Sequence, residues 1–154
     1  MKADPWRQEA WEIIRNTPNL VWLILTKRPE LIAKTLPADW GEGWPNVWLG
    51  VSVGCRRGLK KMDTLRRIII HPKAVRFLSG EPLLEDISES IDISGFGWVI
   101  AGGESDGRPE YLWDCNGDWR AEFKEPGRRI MKLQWARRLL ERSQNAHIPF
   151  SSNR

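Results

Sequence analysis

From Pro5 to Asn16 the apolar residues Trp6, Ala10, Trp11, Ile13 and Ile14 recur at helical spacing, and Pro5 suits a first turn. Thr17-Pro18-Asn19 ends that pattern. Leu20 to Leu25 is a continuous apolar run, too short for a lone core helix and rich in strand formers, which predicts a buried strand. Thr26-Lys27-Arg28 closes it, and Pro29 opens a short helical pattern through Leu31, Ile32 and Leu36. The cycle then repeats. Val47 to Val53 reads as a second strand, and Leu59, Met62, Leu65, Ile68 and Ile69 mark the helix after it. Ala74 to Ser79 and Phe96 to Ala101 read as third and fourth strands, and Ile148-Pro149-Phe150 begins a fifth. Residues 128–143 carry Ile130, Met131, Leu133, Trp135, Leu139 and Leu140 among six cations, the pattern of an outer helix.

The first four strands are expected to start near residues 20, 47, 74 and 96, spaced like compact βα units. Such spacing implies parallel strands, because antiparallel neighbours need only hairpins. A full eight-unit barrel takes about 250 residues. The expected fold is therefore α/β: a partial (βα) barrel or an open parallel sheet with outer helices and four to five strands. Residues 1–154 read as one incomplete domain, with a long loop insertion at 103–127.

In parallel α/β folds, ligands gather at the carboxyl ends of strands. The first strand ends in Thr26-Lys27-Arg28, the second in Ser52, the third in Ser79-Gly80-Glu81 and the fourth in Gly102-Gly103-Glu104-Ser105. Polar residues commonly end strands, so one such end means little; four together predict a rim. Lys27 and Arg28 suit a carboxylate or phosphate, and Glu81 and Glu104 suit an ammonium or ribose hydroxyls, or work as acid and base. Ser52, Ser79 and Ser105 complete the candidate set. Gly50-Val51-Ser52-Val53-Gly54 also matches a hydrolase nucleophile pattern with His147 downstream, but valine on both sides of Ser52 favours an extended strand over a sharp turn. His71 is expected to end the second helix. Trp22, Trp48 and Trp98 fall in strands and are expected in the core; Trp40, Trp44, Trp113 and Trp119 fall in loops and are expected at a pocket or interface.

Composition narrows the classes. Of the residues, 41% are apolar and 29% charged, as in a globular chain. The longest apolar run is far below the ~20 residues of a membrane span. No secretory pattern follows Met1, so a cytoplasmic, membrane-free protein is expected. Cys55 and Cys115 are too few for a cysteine-rich metal site. The +4 charge and the basic faces around Arg56-Arg57, Lys60-Lys61 and Arg66-Arg67 admit a nucleic-acid partner, although a solvated helix surface explains them as well.

Four strings, Leu25-Thr26-Lys27-Arg28-Pro29-Glu30, residues 45–53 (Pro45 to Val53), residues 75–84 (Val75 to Leu84) and residues 98–105 (Trp98 to Ser105), together resemble a family of phage-associated proteins of unknown function. Longer members resemble radical S-adenosylmethionine enzymes, with a cysteine cluster near the N-terminus and a partial (βα) barrel behind it. The resemblance implies S-adenosylmethionine as a cofactor. Because the cluster-bearing segment is missing, an iron–sulfur cluster is not expected in this chain. Gly54-Cys55 replaces an acidic residue and Asn, and Ser151-Ser152-Asn153-Arg154 replaces the aromatic continuation of the last strand. The chain thus reads as a radical-SAM-like fragment of unknown substrate. The alternatives are a non-catalytic binding module for an anionic ligand or nucleic acid and, ranked lower, a serine hydrolase. Uncovered sheet edges are expected to make it self-associate.

Overall fold

A computed structural model describes residues 5–104 and 131–153 of the chain. Strands Trp22–Thr26 (β1), Val47–Ser52 (β2), Arg76–Gly80 (β3), Trp98–Gly102 (β4) and Phe150–Asn153 (β5) form one sheet in the order β1-β2-β3-β4-β5. All four pairings are parallel. Helices α1 (Pro5–Asn16), α2 (Ile32–Thr35), α3 (Lys60–Arg66) and α4 (Leu133–Asn145) accompany it. Strand order that follows the chain is the order of a barrel wall, left open here as a sheet.

Register assigns each residue to a face. Trp22, Val47, Leu49, Val51, Leu78, Val99 and Ala101 share one face and pack in the core with Ile32, Met62, Leu65, Ala136 and Leu139 from the helices. The other face carries Leu23, Leu25, Trp48, Gly50, Ser52, Phe77, Ser79, Trp98, Ile100 and Gly102. Trp48 and Trp98, expected in the core, therefore stand half-buried opposite the helices, edge to face at 6.4 Å. Phe77 lies 5.8 Å from Trp98, and Trp98 Nε1 donates to Ser151 Oγ at 3.1 Å. The three rings form an aromatic row across β2, β3 and β4.

The loop tryptophans are corrected in the opposite direction. Trp40 is buried, and it clusters with Trp11 and Trp44 at 5.5 to 5.9 Å between rings. Each indole N–H finds a backbone carbonyl: Trp11 that of Thr35, Trp40 that of Ile69 and Trp44 that of Asp39. Arg15 covers Trp44 at 5.1 Å and pairs with Asp39 at 2.8 Å. A loop rich in Trp thus supplies core that the short α2 cannot.

Three further expectations change. β1 is not fully buried, because it is the sheet's edge, and Leu23 and Leu25 are half exposed. The helix through Ile69 stops at Arg66, where Arg76 of β3 donates to the carbonyls of Leu65, Arg66 and Ile68. His71 therefore lies beyond the helix, with its Nδ1 accepting from the Lys73 N–H at 3.1 Å. Finally, Ser151, Ser152 and Asn153 continue the fifth strand and pair with Ile100, Ala101 and Gly102, so backbone pairing here needs no aromatic side chains.

Between β3 and β4 no helix forms. Asp86 accepts from the Ser88 N–H and Oγ at 3.0 and 2.6 Å, and Asp92 accepts from the Ser94 N–H and Oγ, both at 2.9 Å. These local bonds turn the backbone in place of a helix. Leu83, Ile87, Ile91, Ile93 and Phe96 fill the core beneath. Guanidinium groups on both flanks tie the crossover down. Arg66 of α3 donates to the Ser94 carbonyl at 2.9 Å, Arg142 of α4 to that of Ile91 at 2.7 Å, and Arg138 to the Asp86 carboxylate.

Burial alone would raise the Asp86 carboxyl, but the bonds from Ser88 and Arg138 outweigh it and hold it below the usual range. The Ser94 bonds, helped by Arg66 and Arg142, do the same for Asp92. Both carboxyls therefore stay ionised to lower pH in the folded chain than in the unfolded one. Their stabilisation is complete above the ordinary carboxyl pKa of about 4 and is lost as pH falls through the lower folded values. Thermal melts should show a Tm that is level from neutral pH to about 5 and drops below about 4, with a smaller drop in Asp86→Asn. An equal drop in that variant would remove Asp86 from the account.

Candidate functional site

The carboxyl end of the sheet is built by pairing and by glycine. Ser52 of β2 lies in register with Ser79 of β3, so the two hydroxyl-bearing residues are neighbours on the face away from the helices. Ser52 Oγ donates to the Glu81 carbonyl at 3.3 Å. Ser79 is only 1% exposed, and its Oγ has no hydrogen-bond partner among the described residues. Buried hydroxyls nearly always have one, and Ser143 Oγ on α4 is the other such hydroxyl among the described residues, so water or a ligand would complete each.

Glu81 follows two residues after Ser79 and folds across to β4. A Cβ on Gly102 would lie 2.9 Å from Glu81 Cγ and 3.0 Å from Cδ, so the glycine leaves the space this carboxylate occupies. The turn behind Glu81 is anchored on both sides: the Leu83 N–H donates to the Gly102 carbonyl and the Leu84 N–H to that of Gly54, each at 2.8 Å. Gly54 is needed for this turn, because its missing Cβ lets the Pro82 carbonyl approach. Sequence reasoning missed Gly54 and Gly102 as site residues. Their signal, a glycine just past a strand, also fits any simple turn.

The predicted rim is thus assembled unevenly. Ser52, Ser79 and Glu81 come together, and Glu104 follows Gly102 by two residues at the next strand end. Lys27 and Arg28 are exposed beyond β1, at the sheet's edge, with Arg28 Nε 3.6 Å from Glu30 Oε1. Ser105 lies outside the described residues, as do Trp113, Trp119, Cys115 and all of the expected insertion except Gly103 and Glu104. The nucleophile pattern has no histidine beside it. His147 precedes β5, at the amino end of the sheet, whereas Ser52 is at the carboxyl end of β2.

Chemically, two hydroxyls beside a carboxylate suit a ligand bearing hydroxyl or ammonium groups. Among the described residues no three His, Cys, Asp or Glu side chains gather to hold a metal. A cavity of about 550 Å³ lies at the opposite, amino end of the sheet, lined by Phe96, Arg142 and Ile148 among others. Its Arg142 is already engaged by the Ile91 carbonyl. Basic residues are spent similarly: Arg56, Arg66 and Arg138 all bond to the β3–β4 crossover. No helix among the described residues is long and apolar enough to cross a membrane.

No curated protein and no solved structure matches the chain. Residues 2–126 match the model of DUF5131, described as a protein of unknown function. That match covers most of the chain and includes β1 to β4 with Ser52, Ser79, Glu81 and Glu104, and the chain belongs to this family.

Proposed function

We propose that this chain is a phage-associated, radical-SAM-like protein whose rim binds a small ligand of the S-adenosylmethionine class. The observation that carries the reading is the orphan hydroxyl of buried Ser79, in register with Ser52 and beside Glu81. Glu81 and Glu104 would pair the ligand's ammonium and ribose, and Lys27 or Arg28 its carboxylate. No catalytic step is assigned, so a purely binding role rests on the same residues. The sheet edges, uncovered among the described residues, would let copies of the chain associate.

Calorimetry with adenosylmethionine tests the rim. A hydrogen bond to a charged group contributes about 1.5–3 kcal/mol, so Glu81→Gln should weaken binding about 10- to 150-fold. Ser79→Ala should weaken it about threefold to tenfold, as for a neutral bond. Without ligand, Ser79→Ala should leave the Tm unchanged or raised, since the hydroxyl has no partner to lose among the described residues. No heat from the native chain would overturn the ligand, and a lowered Tm in Ser79→Ala would make that serine structural.

A further inference from the structure

We propose that two copies of this chain pair through β1, antiparallel, about a two-fold axis at Ile24. The inference rests on the edge association proposed above and names the edge, the orientation and the register. Among the described residues β1 ends the sheet and bonds to β2 alone. The Trp22 N–H donates to the Asn46 carbonyl at 2.8 Å, and Trp22 lies opposite Val47, so even-numbered residues of β1 spend their backbone groups on β2. Leu23 and Leu25 turn theirs outward. Their side chains are 48% and 49% exposed, and Val21 just before them is 56% exposed. An open ladder edge with alternating exposed apolar residues is a template for another strand.

The occupant that fits is the same strand. Two-fold antiparallel pairing at Ile24 sets Leu23 of each copy opposite Leu25 of the other, and both are outward-facing residues that exchange N–H and carbonyl bonds. This register uses the whole extended segment from Trp22 to Thr26, whereas an axis at Leu23 or Leu25 shortens the overlap. It also sets Lys27 opposite Val21. Parallel pairing would stack Lys27 on Lys27 and Arg28 on Arg28, and like charges directly opposite are destabilising. At the other edge β5 presents Ser151 and Ser152, which offer no matching apolar row. A self-complementary patch is what a two-fold interface requires.

Sedimentation equilibrium on the full chain should show a species of twice the chain mass that grows with concentration. Leu25→Glu, at an exposed position, should abolish it while leaving the circular dichroism spectrum unchanged. In a Cys115→Ser background, mild oxidation should cross-link a mixture of Leu23→Cys and Leu25→Cys chains but neither variant alone, because an opposed pair about 5.5 Å apart between Cα atoms suits a disulfide. A monomer at every concentration would overturn both the association and its geometry. Association undiminished in Leu25→Glu would overturn the β1 assignment but not association itself. Cross-linking of Leu23→Cys to itself would overturn the register.

Discussion

Gly54→Ala should lower the stability of the chain by about 3 kcal/mol or more, above the usual range for one added methyl in a packed site. A Cβ at that position would overlap the Pro82 carbonyl oxygen and lie 3.2 Å from its carbon. A side chain could swing away; this oxygen belongs to the backbone. The neighbouring amides of Leu84 and Glu85 both donate to the Gly54 carbonyl, at 2.8 and 3.3 Å, so the turn cannot retreat without losing them. Leu83, buried in the core, and Glu81, at the rim, would move with it. For a domain of this size each kcal/mol shifts the Tm by about 2–4 °C, so the drop should be near 10 °C. The adenosylmethionine affinity proposed for the rim should fall in parallel. A variant with native Tm would show that the turn is adaptable and would detach Gly54 from the rim.

A comparable loss is expected from Gly50→Ala, for a different reason. The Phe77 ring lies over Gly50, with Cε1 2.6 Å from where a Cβ would stand and two other ring atoms closer still. Phe77 is buried and packs 5.8 Å from Trp98, so the ring has nowhere to go without disturbing the aromatic row. Overpacking of this kind costs about 1–3 kcal/mol. Because the obstacle is a side chain, trimming it should relieve the clash: in Gly50→Ala/Phe77→Leu the combined loss should be well below the sum of the single losses, by about 1 kcal/mol or more. Strict additivity in urea or thermal melts would mean that the two residues do not oppose each other.

These glycines also mark where sequence reading runs out. The alternation of strands and helices, their parallel sense and the class of fold follow from apolar runs such as Val47–Val53 separated by helical patterns such as Leu59, Met62 and Leu65. What such patterns cannot report is which face a strand residue takes once the sheet has one covered side. Trp48 and Leu49 are equally apolar, yet Leu49 packs under α3 and Trp48 stands on the far face. In the crossover from Ser79 to Trp98, Asp86, Ser88, Asp92 and Ser94 decide the backbone through side-chain bonds that no apolar spacing reports. At the rim, strand ends located Ser52, Ser79 and Glu81. The contribution of Gly102 depends on the direction the Glu81 side chain takes, and no spacing encodes that.

Because neighbours in the sheet are also neighbours in the chain, the fold can be written in the order in which a ribosome delivers it. Trp22 pairs with Val47, Leu49 with Arg76 and Phe77 with Trp98, so three successive pairings each close a loop of between 21 and 27 residues. The last, Val99 with Phe150, closes 51. Loop-closure entropy rises slowly with length, by about 0.6 kcal/mol per doubling, so the final step is only modestly dearer than the others. No pairing has to wait for a distant end of the polypeptide. A growing chain can lay down each strand against its finished predecessor, with β5 and α4 arriving last to shield what the β3–β4 crossover leaves open.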